Sequence, residues 1–321
     1  MHSKPGLSPA TVGLIAAVIT VAIWTSFIVI ARASAQFTLR PLDIAFLRLV
    51  GAALVLMPWG WWLNRQAARA GHAVGWLGLS PLPLRVTAIC GLFGGLLYGI
   101  LAYSGFFLAP AAHASVLMPG SLPLWTTLLA IWLLHERIGA ARALGLAFIV
   151  GGDLLVGGAS LLQAFDGGSV WRGDLLFISA AMCWSCYSVL ARRYGLGAVQ
   201  ATIAVTTFAA LVYLPGFLLL VWLGWLGTAL PQAPWAEIIF QTLFAGVASV
   251  VISGISFTMM IRHYGPVRST MITALVPGLS AFAAVIFLGE PLGWNLAAGL
   301  ALVTAGIVFG VRGAAPHRAA P

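Results

Sequence analysis

Asp153 is the only acid well inside an apolar run of this sequence, in the stretch 139–160. An ionisable group at membrane depth is expensive and marks either a functional site or a buried pair. Arg48 enters another apolar run, 43–63, five residues past Asp43. Two readings follow. Arg48 and Asp153 form a hydrogen-bonded pair, which lowers the cost of burying both. Alternatively, both meet a zwitterionic solute in an outer vestibule. A plainer reading has Asp153 reaching water through a wet cavity without a transport role. Asp153 is also the one good candidate for a group that couples proton movement to transport.

Other chemistry-bearing residues point to weaker chemistry. Cys183-Trp184-Ser185-Cys186 has the C-x-x-C spacing. Redox work needs a thiolate-stabilising helix N-terminus and access to partners, whereas these cysteines lie deep in an apolar run. His113 and His263 are expected near helix ends, not gathered into a metal-ligand cluster, so no metal and no cofactor is expected. Glu136 and Glu290 each precede the start of an apolar run, where a helix dipole favours an anion. Neither a Walker A sequence nor G-x-S-x-G occurs, which argues against ATP-driven transport by this chain alone and against serine-hydrolase chemistry.

Small polar residues and prolines form stripes. Ser115, Pro119, Pro123 and Thr126 recur at spacings of 4, 4 and 3, and Ser269, Thr273, Pro277 and Ser280 repeat those offsets. Each set shares one helical face. Proline inside a helix frees a carbonyl and permits a bend, so both stripes suit a cavity wall that moves; plain helix packing is the alternative. Ser249, Ser253 and Ser256 share another face. Trp24, and Trp184 with Tyr187 one turn on, are cavity candidates, because an aromatic face holds an apolar or cationic solute. Tyr98 and Tyr103 suit either the cavity or an interface belt. Gly91, Gly95 and Gly99 read as close helix packing.

The elements that must position these groups come in duplicate. Sliding 115–152 by 154 positions lays it on 269–306 with 11 identities in 38 positions, among them Ser115 on Ser269, Pro123 on Pro277, Glu136 on Glu290 and Gly145 on Gly299. Gly13, Trp24 and Arg32 likewise meet Gly173, Trp184 and Arg192 at an offset of 160. An internal repeat decides architecture before local detail does. Hydrophobic residues are 61% and charged residues 7% of the chain, and the mean hydropathy is +1.03. Such a chain is a polytopic membrane protein, and its net charge of +9 reflects loop placement, not nucleic-acid binding.

Ten apolar segments are expected as helices: 10–33, 43–63, 84–107, 111–134, 139–160, 173–193, 199–225, 236–260, 266–288 and 293–312. Each approaches the roughly 20 residues a spanning helix needs. With both termini in the cytoplasm, 12 of the 16 Lys and Arg fall inside, as the positive-inside rule requires. Ala33-Ser34-Ala35 has the form of a signal cleavage site, but the apolar run before it is too long for a signal peptide. Five helices per half is an odd number, so the second half must enter the membrane inverted. The expected fold is an all-α membrane protein of ten transmembrane helices, with an inverted pair of five-helix repeats at 10–160 and 173–312. Substrate sites in such proteins lie near the midplane between the halves.

This plan resembles the drug/metabolite transporter superfamily, specifically its EamA-domain exporters. Trp24 with Thr25-Ser26, the Phe46-Leu47-Arg48-Leu49 stretch, and the arrangements of Pro123 with Glu136 and Gly145 and of Pro277 with Glu290 and Gly299 carry the likeness. It covers about 10–312 and is nearly silent on substrate. The resemblance implies a bacterial inner-membrane permease that exports amino acids or related metabolites by alternating access. Its central cavity would be lined by the first, third, fourth, sixth, eighth and ninth helices. The aromatic amino-acid exporters are one candidate subgroup, compatible with Trp24, Tyr98, Tyr103 and Trp184. Asp153 departs from the family's pattern, and so does the uncharged seventh helix from Gln200 to Phe217. The expected partners are a small-molecule substrate, the bilayer and candidate protons, with no nucleic acid, in a monomer or homodimer. An intramembrane enzyme, or a scaffold or sensor, are the alternatives from other classes.

Overall fold

The computed structural model describes residues 9–135, 138–164 and 168–312. Among them the regular elements are all helical. Eight helices are long and apolar enough to cross a membrane, and two shorter apolar helices, Leu275–Leu288 and Trp294–Gly310, follow. We label them in chain order: α1 (Pro9–Ala33), α2 (Pro41–Arg69), α3 (Leu84–Leu108), α4 (Ala111–Leu133), α5 (Ala140–Ala164), α6 (Val170–Arg193), α7 (Ala198–Trp222), α8 (Trp235–Met260), α9 (Leu275–Leu288) and α10 (Trp294–Arg312).

Local chemistry sets the ends. Pro41 opens α2, its missing N–H falling where no helical partner exists. Asp43 closes that turn by accepting the Arg40 amide at 2.9 Å. α4 and α9 stop alike, at His135 (φ 53°) and Gly289 (φ 66°), both left-handed, as a helix C-terminus favours.

The ninth helix departs from expectation. Helical backbone runs on from Ser253 to Thr273, breaks at Ala274, and resumes at Leu275. Pro277 cannot donate to the Thr273 carbonyl and its ring crowds that group, which accounts for the break. In α4 the wide turn Val116–Gly120 and the break at Ser121 precede Pro123 in the same way. Wide turns also occupy Leu92–Leu97 of α3 and Thr242–Ile252 of α8.

Packing follows the repeat. α1 packs on α8 and α9, and its counterpart α6 packs on α3 and α4. α2 packs on α7 and α5 on α10, each helix against its own counterpart. The α5–α10 pair is antiparallel: a Cβ on Gly145 would meet the Gly306 carbonyl at 2.6 Å, and one on Gly152 would meet the Gly299 carbonyl at 2.6 Å. Residues near 164 and near 312 therefore lie at opposite ends of this pair. The start of α1 lies against His263 and Tyr264, and its end, at Arg32, lies against Glu290. The chain between 264 and 290 thus crosses the bundle. Trp222, Trp225, Trp235 and Trp294, each 77% exposed or more, ring the end of the bundle where α1 finishes. Exposed amphipathic rings there suit a membrane interface.

Candidate functional site

Four helices bring aromatic side chains together at the middle of the bundle. α1 supplies Trp24 and Phe27, α3 supplies Tyr98 and Tyr103, and α6 supplies Trp184 and Tyr187. α8 adds Phe257, and α2 sends Arg48 in from the side. Trp24 packs on Phe257 with ring centroids 5.1 Å apart. Its counterpart Trp184 packs on Tyr98 at 4.9 Å and on Tyr187 at 5.3 Å. Each tryptophan thus meets an aromatic of the opposite half, and Phe27 meets Tyr103 at 5.9 Å.

These rings border an interior space. Tyr98 and Tyr187 are half-buried. Gly99 is buried, yet a methyl on its Cα would meet nothing within 4 Å. The sequence marked Gly91, Gly95 and Gly99 alike as packing residues. The first two do pack closely: a Cβ on Gly95 would meet Ala209 at 2.8 Å, and one on Gly91 would strike Phe208. Gly99 instead has open space beside it, a distinction that spacing alone does not carry.

Arg48 is the charge on the chamber wall. Its Nη1 donates to the Ala245 carbonyl at 3.2 Å and to Ser249 Oγ at 2.9 Å. Its guanidinium carbon stands 5.6 Å from the Phe27 ring centroid, close enough for a cation–π attraction. It acts electrostatically on Tyr98 and Tyr103. The Tyr103 side chain is buried beside that guanidinium.

The Arg48–Asp153 pair does not form. Arg48 is engaged by α8 and α1, whereas α5 packs on α10, α4 and α6. Asp153 Oδ1 is buried with no hydrogen-bond partner, near the wide turn of α4: Gly157 contacts Leu117, and Arg142 donates to Thr127 at 2.8 Å. Similar depth in two helices does not make them neighbours.

The polar stripes meet each other. Ser280 Oγ donates to Ser115 Oγ at 2.8 Å, both fully buried, and Thr126 donates to Ser185 at 3.1 Å. Pro277 is buried in α9, while Pro119 and Pro123 are half-buried in α4. Thr273 stands one residue before the break at Ala274. Ser253 is buried and donates to the Ser249 carbonyl at 2.8 Å, and Ser256 is buried beyond it. Cys183 and Cys186 are free thiols.

The end of the bundle where α1 finishes is laced shut between the halves. Arg32 Nε meets Glu290 Oε1 at 3.1 Å, and the Glu290 carboxylate accepts the amides of Ala111 and Ala112 at 3.1 and 3.2 Å. Glu290 therefore serves a helix N-terminus, but that of α4, not of the helix that follows it in sequence. Glu136, its counterpart, lies outside the described residues. Asp43 accepts the Ala229 amide at 3.0 Å, and Gln241 donates to Ser34 at 2.8 Å. His113 meets Asp174 at 3.0 Å, and Ser160 also donates to that carboxylate. Two apolar grooves, one at Leu56, Trp59 and Val251 and one at Gly278, Leu300 and Thr304, lie apart from the aromatic cluster.

Comparison with known proteins agrees with this architecture. The EamA-like transporter family matches residues 11–158 and 171–312. An uncharacterized transporter of Archaeoglobus fulgidus is 25% identical over 90% of this chain and 93% of its own length. The uncharacterized transporter YyaM of Bacillus subtilis is 23% identical over 72% of this chain and 75% of its own. The Arabidopsis thaliana protein WALLS ARE THIN 1 is 23% identical over 92% of this chain and 81% of its own. A solved crystal structure, 21% identical, covers 94% of this chain and 96% of that chain with a TM-score of 0.55, a likeness of fold.

Proposed function

The chain belongs to the EamA-like transporter family, a multi-pass membrane transporter of small molecules, and on that premise we propose that it exports amino acids or similar small metabolites by alternating access. The working parts are two inverted five-helix halves, 10–160 and 173–312, that rock about the aromatic chamber. The observation that carries this reading is the aromatic cluster: both repeats contribute a tryptophan to it, and α4 and α9 are each broken just before a repeated proline. The reciprocal packing of α1 on α8 and α9, and of α6 on α3 and α4, supports the inverted repeat.

The cell inner membrane is the proposed location, with both termini cytoplasmic, as the distribution of Lys and Arg favours. The laced end then faces outward. A ligand shifts such an equilibrium only through its different affinities for the two states. Asp153 is the proposed proton-coupling residue, beside the wide turn of α4.

Counterflow in proteoliposomes with a panel of labelled amino acids and related organic acids tests the reading. The expected result is saturable exchange of at least one member above protein-free liposomes. Exchange of none contradicts it.

A further inference from the structure

His113 stands in the first turn of α4, on the first half, and Asp174 in the second turn of α6, on the second half. His113 Nδ1 lies 3.0 Å and 3.2 Å from the two Asp174 carboxylate oxygens. Ser160 of α5 donates to the same carboxylate. The His113 and Asp174 side chains are 16% and 4% exposed. A carboxylate only accepts, so Nδ1 carries the proton and the lone pair of the neutral ring sits on Nε2. Nε2 has no hydrogen-bond partner among the described residues and is not fully enclosed. A proton added there breaks no existing bond, and it turns the contact into an ion pair between the halves.

Histidine is the side chain whose ordinary titration falls between about pH 5 and 8. The other charged groups around His113 are Arg32 of α1 and Glu290 beyond α9, which pair with each other, and Arg172 of α6, which is exposed beside Trp171. α5 brings Ser160, with Asp153 two turns deeper, and the adjoining turns of α3 carry no charge. The repeat does not copy the pair. The positions that match His113 at an offset of 154 and Asp174 at an offset of 160 hold Val267 and Leu14. A proton shifts an equilibrium between two states only by binding one of them better. A contact that the repeat places at one end alone supplies that difference.

We propose that His113, Asp174 and Ser160 form a proton-binding latch at the end where α1 finishes. A proton taken up at His113 Nε2 gives an imidazolium held on Asp174, which ties α4 to α6 across the halves and keeps that end closed. Loss of the proton leaves the Nδ1–H bond and lets the end open more readily. Acid on that side therefore favours the closed end, and alkali the open one. This inference rests on the transport reading above, in which this end opens, and adds a control separate from Asp153.

With Cys90, Cys183 and Cys186 replaced, spin labels at Phe37→Cys and Trp294→Cys report the opening. Both positions are exposed, at this end and on opposite halves. Their distance distribution is measured in proteoliposomes without substrate, between about pH 5 and 8. The ratio of closed to open populations is expected to rise about 5-fold or more from the alkaline to the acid limit, as a charge-assisted bond is worth over an ordinary one. His113→Asn, whose amide keeps a donor for Asp174 but takes no proton, is expected to give one ratio throughout. Should it fail to fold, Asp174→Asn serves, and is expected to shift the ratio toward open and flatten its response. A wild-type ratio that does not move with pH, or an unchanged response in His113→Asn, overturns the latch and leaves the transport reading standing. Counterflow of no panel member, beside a distance response that needs His113, removes the transport reading and keeps the latch.

Discussion

Ser280 donates its hydroxyl to Ser115 at 2.8 Å, in a place where the repeat would have it meet Thr25. Thr126 and Ser185 are the counterparts of Ser280 and Thr25, and those two are hydrogen-bonded at 3.1 Å. Thr25 Oγ1 is instead buried without a partner. The two halves therefore hold equivalent residues in different arrangements, which the proposed exchange of roles between the halves requires.

The exchange has a readable consequence. In the opposite-facing state, Ser280 is expected to leave Ser115 for Thr25. In a background without Cys90, Cys183 and Cys186, the pair Ser115→Cys/Ser280→Cys should cross-link at rest. The pair Thr25→Cys/Ser280→Cys should cross-link only while substrate is turning over. Equal cross-linking of both pairs at rest would remove the exchange.

The α5–α10 contact should be intolerant of side chains. A Cβ on Gly306 would lie 2.5 Å from the Gly145 carbonyl and 3.0 Å from the Ile149 amide, and one on Gly152 would meet the Gly299 carbonyl at 2.6 Å. Backbone cannot yield as a flexible side chain does, so overpacking of about 1–3 kcal/mol is expected. Thermal unfolding in detergent should show Gly152→Ala and Gly306→Ala lowered. Gly158→Ala should be unchanged, since nothing lies within 4 Å of its Cβ position.

Asp153 tests coupling separately from transport. Its carboxyl oxygen Oδ1 is buried and unpartnered. Asp174, with His113 and Ser160, lies toward the laced end and away from it. Asp153→Asn is expected to abolish uptake or efflux driven by a pH gradient while counterflow continues at a comparable rate. Gradient-driven transport that survives the substitution removes Asp153 from the coupling scheme.

Much of this architecture is legible in the sequence, because the repeat carries it. Trp24 and Trp184 share a register, and each packs on an aromatic ring of the other half. Pro123 and Pro277 share another, and both helices break just before them. What the sequence could not supply is which helices touch. Arg48 and Asp153 share a depth but face different neighbours, so the expected pair fails. Glu290 looked like a residue serving the helix that follows it, whereas the fold carries it to the start of α4. Gly99 has the spacing of a packing glycine, and only the empty space beside it separates it from Gly91 and Gly95. His113 has no acid near it in sequence and meets Asp174 only when α4 and α6 pack. Each of these contacts is a matter of helix azimuth and partner, which hydrophobic pattern leaves open.

The most direct test of alternating access is to lock the end of the bundle that the structure shows closed. Arg32 and Glu290 meet there at 3.1 Å across the two halves. With the native cysteines replaced, Arg32→Cys/Glu290→Cys joined by a reducible cross-linker should arrest counterflow, and reductant should restore it. Undiminished exchange by the fully cross-linked protein would contradict the account, because substrate would then cross without the halves parting at this end.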